Sequence, residues 1–391
     1  MMAADLRPAA GELLPRSTCD VRERVREAAA QAMPLRIAGA GEWLDAGRPV
    51  RAHAMLSTRA LAGVVKYVPG DLTLTVHAGT TLGEIAHATA AHGQWLTLDP
   101  YGGDGTLGAA VATASYGPLA HAFGTPRDLV LGLELVSGEG SIVRAGGRVV
   151  KNVAGFDLTR LLTGSWGTLG VITEITVRLR ALPEVQTSLA IPAGERAGDI
   201  DALRRALSAA GILPLAAQAV DAACAARLEL PRRTTLLLRL GGNAAHVRAE
   251  RDRVRALGRA AEVPTATWEL LRTLEPPPWR AAVLRLSQLA SDFADTWRAA
   301  GTLVERWADA YRHGDPGRGM VRCVLPLGDA VDEGALASII AAPFAGSCIV
   351  ERMPPSLWSA RPGAADDRLS RGIRNAYDPG QLLNPGILGA T

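Results

Sequence analysis

The chain has 391 residues, of which 48% are hydrophobic, so it can bury the cores of two or three domains. Its 42 basic and 39 acidic residues nearly cancel to a net charge of +3, and no basic run carries interleaved aromatics, which excludes an electrostatic nucleic-acid binder. The four cysteines, Cys19, Cys224, Cys323 and Cys348, are scattered with no C-x-x-C, which excludes an iron–sulfur cluster, a zinc ribbon or a disulfide framework and fits a reducing compartment.

In chain order, the opening MMAADLRPAAGELLPRST has acidic residues and prolines instead of an apolar run, so a loosely ordered lead-in is expected over residues 1–20, not a signal peptide. No later stretch approaches the roughly 18 apolar residues that span a bilayer, and a cytoplasmic protein is expected. Val21–Met33, rich in Ala, Glu and Arg, predicts a helix that Pro34 ends. Leu35–Ala38 predicts a short strand running into Gly39-Ala40-Gly41. Thr73–Ala78 alternates as a strand, Thr81-Leu-Gly-Glu84 is a capping box opening a helix to about His92, and Gln94–Leu98 is a further strand. From Gly102 to Gly170 there are 15 glycines in 69 residues, about twice the density of the whole chain. An interior glycine weakens a helix or strand by about 0.5–1 kcal/mol, so this block predicts loops where backbone turns tightly or approaches something closely. It ends in a strand over Gly170–Leu182.

Beyond Pro183 the texture changes. Strands are predicted at Thr187–Ile191, Leu213–Val220, Thr235–Leu240, Ala282–Ser287, Leu303–Tyr311, Gly319–Leu325 and Ser347–Arg352. Helices are predicted at Asp199–Ala210, Ala244–Leu257, Asp292–Ala299 and Glu333–Ala341, with a turn at Asp315–Gly317. The pattern is that of two successive β-α-β-β-α-β units forming an antiparallel sheet covered by helices. The tail, 354–391, has one helix followed by Asp378-Pro379 and Asn384-Pro385-Gly386.

Four stretches carry chemistry. Arg36-Ile-Ala-Gly-Ala-Gly-Glu42 is a strand leading into Gly39-x-Gly41. Leu44 stands where a Rossmann fingerprint needs its third glycine and a breaker cluster follows, so a dinucleotide site of that kind is excluded and an ordinary turn is the alternative. Asp99-Pro-Tyr-Gly-Gly-Asp-Gly-Thr-Leu-Gly108 opens a helix of very small residues that Thr106 can cap. Free N–H groups at such an end can bind phosphate, or the segment is simply a tightly packed alanine helix. Gly124-Thr-Pro-Arg-Asp-Leu-Val-Leu-Gly132 carries Arg127, which either neutralises phosphate or pairs with Asp128. Lys151-Asn-Val-Ala-Gly-Phe-Asp157 contains one of only two lysines and runs into Gly164, Gly167 and Gly170, whose spacing predicts a loop with backbone amides facing a ligand.

The run YVPGDLTLTVHAGTTLGEI, TLGAAVATASYGP, RDLVLG, KNVAGFDLTRLLTGSWGTLGVIT and YDPGQLLNPG resembles the vanillyl-alcohol-oxidase superfamily, whose domain is termed PCMH-type. The resemblance covers residues 34–183 and, more loosely, the tail from Ser347; within it the block Tyr67–Pro183 resembles the FAD-binding E subunits of glycolate oxidases more than the D subunits. The resemblance implies an α+β fold: a PCMH-type FAD-binding domain of two α/β subdomains (1–183), an α/β cap with an antiparallel sheet (184–353), and a C-terminal segment returning to the flavin site (354–391). It implies FAD with its pyrophosphate on Ala38, Gly39, Ala40 and Gly41 and on the turn of Thr106, Leu107 and Gly108. Ala112, Thr113, Ser115 and Gly117 would line its path, and Gly170 and Ile172 would hold its adenosine or ribityl part. Asn384 would lie near the isoalloxazine, and Pro100, Asp128 and Gly167 complete the cofactor set. The sequence departs from the family pattern at Glu42-Trp43, where Thr and Lys usually follow the glycines, at Ala109 and at Trp166. The first loop lacks the histidine used for covalent attachment in relatives, so FAD is expected to be non-covalent.

The implied function is the FAD-binding subunit of a glycolate/D-lactate (2-hydroxy acid) oxidising complex. Its expected partners are a D-type flavoprotein and an iron–sulfur subunit, through which the chain would attach peripherally to the inner face of a membrane. The alternatives are a free-standing dehydrogenase of another small hydroxy acid or alcohol, and a non-catalytic assembly subunit. Oxidation of a 2-hydroxy acid needs a base and a carboxylate anchor. No histidine pair with metal-ligand spacing occurs, no metal is expected, and His313-Gly-Asp-Pro reads as a turn. Arg352 is the one candidate for a carboxylate anchor, with a salt bridge to Glu351 or a plain surface arginine as the alternative.

Overall fold

The structure is a computed structural model that describes residues 11–147, 157–276, 280–328, 331–361 and 363–389. The chain divides into two compact units. The first comprises Met1–Tyr116, Gly124–Leu182 and Arg361–Thr391, and the second Gly117–Phe123 and Pro183–Ala360.

The first unit has two layers of sheet. In the smaller, Glu12–Leu13, Ala54–Ser57 and Leu35–Ala38 are parallel, with Ala54–Ser57 in the centre. The helix Thr18–Ala30 covers it. Ser17 and Asp20 close a capping box at its start, and Val21, Val25 and Ala28, spaced one helical turn apart, bury completely against Leu35, Leu56, Val136 and Val171. The larger sheet is antiparallel, in the order Val64–Val68, Thr73–His77, Val171–Arg178, Val130–Val136, Ile142–Gly146. The predicted capping box at Thr81 and Glu84 is present and opens the helix Leu82–Ala90. The strand expected over Gln94–Leu98 is limited to Gln94–Trp95, because only these residues find a partner, at Arg180–Ala181.

In the second unit the strands form one eight-stranded antiparallel sheet. The first repeat supplies Val185–Pro192, Ala216–Val220, Thr235–Gly242 and Ala261–Val263. The second supplies Ala281–Ser287, Tyr311–Asp315, Met320–Pro326 and Ser347–Arg352. Within each repeat the strands lie in the spatial order fourth, first, third, second. The two second strands meet where Val220 faces His313, so the repeats are joined back to back about that seam. Strand alternation gives the sheet two faces. One packs Leu189, Leu236, Leu238, Val321 and Leu325 under the helices Ala197–Ala209, Ala244–Leu257, Phe293–Val304 and Glu333–Ile340. The other packs Val220, Leu237, Val283 and Val324 against Cys224, Trp268 and Leu271 of the helices Ala222–Arg227 and Ala266–Thr273.

The strand expected over Leu303–Tyr311 is a correction. Leu303 and Val304 end a helix, and the strand begins only at Tyr311. Phe293, Trp297, Ala300 and Val304 recur at helical spacing on the buried side, and that period outweighs the local strand preference of the segment. His313, expected in a turn, lies inside the strand, and the turn starts at Asp315.

The tail is pinned to the first unit by Asp378. Its fully buried carboxylate accepts from the amides of Leu382 (3.1 Å) and Leu383 (2.8 Å), while the Gly138 amide donates to the Tyr377 carbonyl at 2.8 Å. Asp378→Ala leaves two amides without an acceptor. We expect it to lower stability by about 1–3 kcal/mol and Asp378→Asn by less. Thermal unfolding checks the loss, and hydrogen exchange at residues 382–384 should rise with it.

Candidate functional site

Three segments of the first unit border a cleft of about 630 Å3, its open mouth included. The first is the loop that leaves the strand Leu35–Ala38. Thr58 Oγ1 donates to the Ala38 carbonyl at 3.3 Å, and Ser57 Oγ donates to the Gly39 carbonyl at 2.7 Å. With the carbonyls held, the loop turns through Gly41 at φ +110°, where a side chain would be strained. The amides of Gly39, Ala40 and Gly41 find no acceptor among the described residues. Consecutive free amides of this kind form an anion cradle.

The second wall is the short helix Leu107–Thr113, capped by Thr106, whose Oγ1 accepts from the Ala109 amide at 3.2 Å. Gly39 packs directly on this cap. A Cβ there would fall inside contact distance of Thr106 Oγ1 and 3.1 Å from the Ala109 Cβ. The amides at this helix end are not free. Leu107 donates to the Thr80 carbonyl and Gly108 to the Ala78 carbonyl, at 2.9 and 2.8 Å. The small residues here therefore serve close packing, and the free amides belong to the Gly39 loop.

The third wall is the glycine-rich loop 164–170. The Gly164 amide donates to the Val111 carbonyl (3.0 Å) and the Trp166 amide to the Ala112 carbonyl (2.8 Å), which ties this loop to the helix. Asn384 joins it to the first wall. Its Oδ1 accepts from the Ile37 amide at 2.8 Å, its Nδ2 donates to the Trp166 carbonyl at 2.7 Å, and its own amide donates to the Leu35 carbonyl at 2.9 Å. Trp43 and Trp166 meet edge to face, with centroids 6.1 Å apart.

Of the positions expected to hold cofactor, Ala38, Gly39 and Gly41 line the cleft with Gly108, Ala112 and Thr113. Opposite them, Gly167, Gly170, Ile172 and Asn384 do so as well. Thr106 and Leu107 are buried behind the wall, and Ser115 is held behind it by a 2.8 Å hydroxyl contact with Thr113. Pro100 is buried outside the lining, Ala40 is exposed at the loop tip, and Gly117 falls in the second unit. Arg127 and Asp128 do not pair. Arg127 donates to the Thr163 carbonyl at 3.3 Å, and Asp128 accepts from the Thr125 amide at 2.8 Å. The motif residues 151–156, Lys151 among them, lie outside the described residues.

Sequence reasoning missed Arg36, Glu42, Trp43 and Trp166 as cleft residues. Glu42, Trp43 and Trp166 stand out in the sequence only as departures from a pattern. Burial, reinforced by Asp104, pushes the Glu42 carboxyl above its ordinary range.

In the second unit, Arg352 forms a 2.9 Å ion pair with Glu275. Glu275 also meets Arg322 at 2.6 Å, and Arg322 meets Glu351 at 2.7 Å. A bulge opposite Val283 and Leu284 brings Glu351 and Arg352 to the same cluster. Burial, and then Arg322, push His313 down to about 3, so its ring is neutral at ordinary pH. His121 Nδ1 lies 2.8 Å from the buried Asp315 carboxylate, a pairing no local sequence signal foretold. Among the described residues no group of three or more His, Cys, Asp and Glu side chains could hold a metal ion.

Residues 9–146 match the family model described as an FAD binding domain. This part of the chain is an FAD-binding domain, and FAD is its cofactor. The residues fit the group: free amides and a buried guanidinium suit a diphosphate, and glycine and alanine walls leave room for rings. The chain is 41% identical over 169 residues to the glycolate oxidase subunit GlcE of Escherichia coli, covering 43% of this chain and 48% of that protein. It is 30% identical over 273 residues to the glycolate oxidase subunit GlcD of Bacillus subtilis, covering 66% of this chain and 57% of that protein. The chain thus spans about half the length of the curated relatives it matches. Alkyldihydroxyacetonephosphate synthase superposes with a TM-score of 0.68 at 18% identity, over 96% of this chain and 76% of that one, which establishes the PCMH-type fold.

Two predictions test the cleft. Gly39→Ala forces the first loop away from the Thr106 cap, and we expect the purified variant to carry less than a tenth of the FAD per chain found in the parent, measured by flavin absorbance. The Glu42 carboxylate opposes a diphosphate. As pH falls through its raised pKa the negative charge is lost, so FAD binding should tighten by about three- to tenfold. Glu42→Gln should bind FAD more tightly at neutral pH and lose this pH dependence, as titration of flavin fluorescence will show.

Proposed function

We propose that the chain is the FAD-binding subunit of an enzyme complex that oxidises a small 2-hydroxy acid such as glycolate or D-lactate. The observation that carries this reading is the glycine-lined cleft closed by Asn384, in a chain that is similar over 169 residues to a glycolate oxidase subunit. FAD, when bound, supplies a two-electron acceptor. The chain's own residues do the holding. The Gly39–Gly41 amides are placed for the diphosphate, Gly108 and Ala112 permit close approach, and Asn384 keeps the tail against Ile37 and Trp166. Trp43 and Trp166 limit water at one side.

The proposed partners are a D-type flavoprotein and an iron–sulfur subunit, with attachment to a membrane surface through them. Among the described residues no helix is long and apolar enough to cross a membrane. Among the described residues the four cysteines form no disulfide and do not gather into a cluster site. In this reading electrons leaving the flavin pass to a partner. As a substrate-carboxylate anchor Arg352 would have to share its guanidinium with Glu275.

The test is the absorbance spectrum of the purified chain before and after anaerobic addition of glycolate or D-lactate, alone and with the D-type and iron–sulfur subunits. We expect a flavin spectrum that stays oxidised with the chain alone and bleaches when the partners are present. Bleaching without partners would make it a free-standing dehydrogenase. A flavin that no combination reduces would leave an assembly role in place of electron transfer.

A further inference from the structure

We propose that Arg36 is the diphosphate anchor of the cleft, supplying to FAD the positive charge that the glycine loop itself lacks. Strand alternation sends Leu35 into the apolar core, fully buried, and Arg36 to the other side, where it lines the cleft at 6% exposure. Its Nη2 donates to the carbonyls of Trp43 and Leu44, both at 3.3 Å. Its Nη1 is buried and has no acceptor among the described residues. No carboxylate comes within ion-pairing distance of it among the described residues, and Asp45 supports the charge only from further off. Burial lowers its pKa to about 10, so the group remains a cation at neutral pH.

A buried, uncompensated guanidinium is costly, and a native chain rarely keeps one without a counter-charge. The features around it specify that counter-charge. The amides of Gly39 and Gly41, both in the lining, are also without acceptors among the described residues, so two main-chain donors and the guanidinium border one cleft. A phosphoryl anion satisfies all of them, and the planar guanidinium is suited to hold one. The loop that continues into Glu42-Trp43 contains no lysine, and Arg36, reaching over from the preceding strand, takes up the cationic role. Its bonds to Trp43 and Leu44 let the same side chain hold the loop in the conformation that aims the amides.

The inference rests on FAD as the cofactor, and the experiment separates failure of the two. Arg36→Met, which keeps the apolar stem, and Arg36→Lys are compared with the parent for binding of FAD, ADP and riboflavin by fluorescence and calorimetry. Thermal unfolding is followed with and without inorganic pyrophosphate. We expect Arg36→Met to weaken FAD and ADP by roughly 10- to 100-fold, the worth of one or two charge-assisted hydrogen bonds. Riboflavin, which has no phosphate, should bind as before, and the stabilisation of the parent by pyrophosphate should disappear. Apo Arg36→Met should unfold at the same or a higher temperature than the apo parent, because a buried charge has been removed, and Arg36→Lys should recover part of the ADP affinity. Unchanged FAD and ADP affinity in Arg36→Met would overturn the proposal. So would a lowered apo unfolding temperature with FAD and riboflavin weakened in parallel, since Arg36 would then be only a clip for the Trp43 and Leu44 carbonyls. A parent chain that takes up no FAD would overturn the cofactor assignment and the proposal together.

Discussion

The cleft depends on one asparagine. Asn384 has a left-handed backbone, φ 46°, a conformation that asparagine tolerates better than most residues. In that conformation its backbone pairs with Leu35 while its side chain reaches both Ile37 and Trp166. Three segments distant in sequence are thereby held by a single amide that uses both an acceptor and a donor. Aspartate would set a second oxygen against the Trp166 carbonyl, and leucine would leave the Ile37 amide unbonded. The neighbouring glycine follows from the same contact. Gly167 adopts φ +69°, and a Cβ on it would come 2.9 Å from Asn384 Nδ2. The glycine loop and the tail must therefore fold as a pair, and Asp378, buried six residues upstream, fixes the approach of the tail.

Charge in the cleft is sparse: among the described residues, Arg36 and Glu42 are the only acidic or basic side chains in its lining. The donors are main-chain amides whose neighbouring carbonyls are already engaged by Ser57 and Thr58. These hydroxyls engage the Ala38 and Gly39 carbonyls and leave the following amides as free polar groups of the loop. Glu42 opposes this arrangement, and burial raises its pKa accordingly. The cleft thus offers a strong attraction at the strand end and a pH-sensitive repulsion at the loop.

Much of this was legible in the sequence because it is local. The Thr81–Glu84 capping box, the Leu35–Ala38 strand and the antiparallel sheet of two β-α-β-β-α-β repeats all follow from short-range pattern, and the structure bears them out. The long-range partners were not legible. Alternation shows that Arg36 and Leu35 point opposite ways but not that one of them borders a cleft. The adjacency of Arg127 and Asp128 suggested an ion pair, yet the turn sends one to Thr163 and the other to Thr125. The helix end at Thr106 looked ready for phosphate until the structure showed its amides spent on Ala78 and Thr80. At Leu303–Tyr311 helix and strand preferences competed, and burial of Phe293 and Trp297 decided for the helix.

The second unit illustrates the same limit in its charges. Five charged side chains, Arg285, Arg322, Arg352, Glu275 and Glu351, collect on one face of its sheet, and the carboxylates are nearly inaccessible to water. Burial alone would raise the pKa of Glu351, but Arg322, Arg285 and Arg352 together hold it below its ordinary range. Such a cluster is stable only while complete, because removing one partner strands a buried charge at a cost of about 3–5 kcal/mol. A substrate carboxylate competing for Arg352 would have to replace what Glu275 gives up. His313, kept neutral beside this cationic group, is a poor proton acceptor. The electrostatics of this face therefore favour fixed charge pairs over proton abstraction.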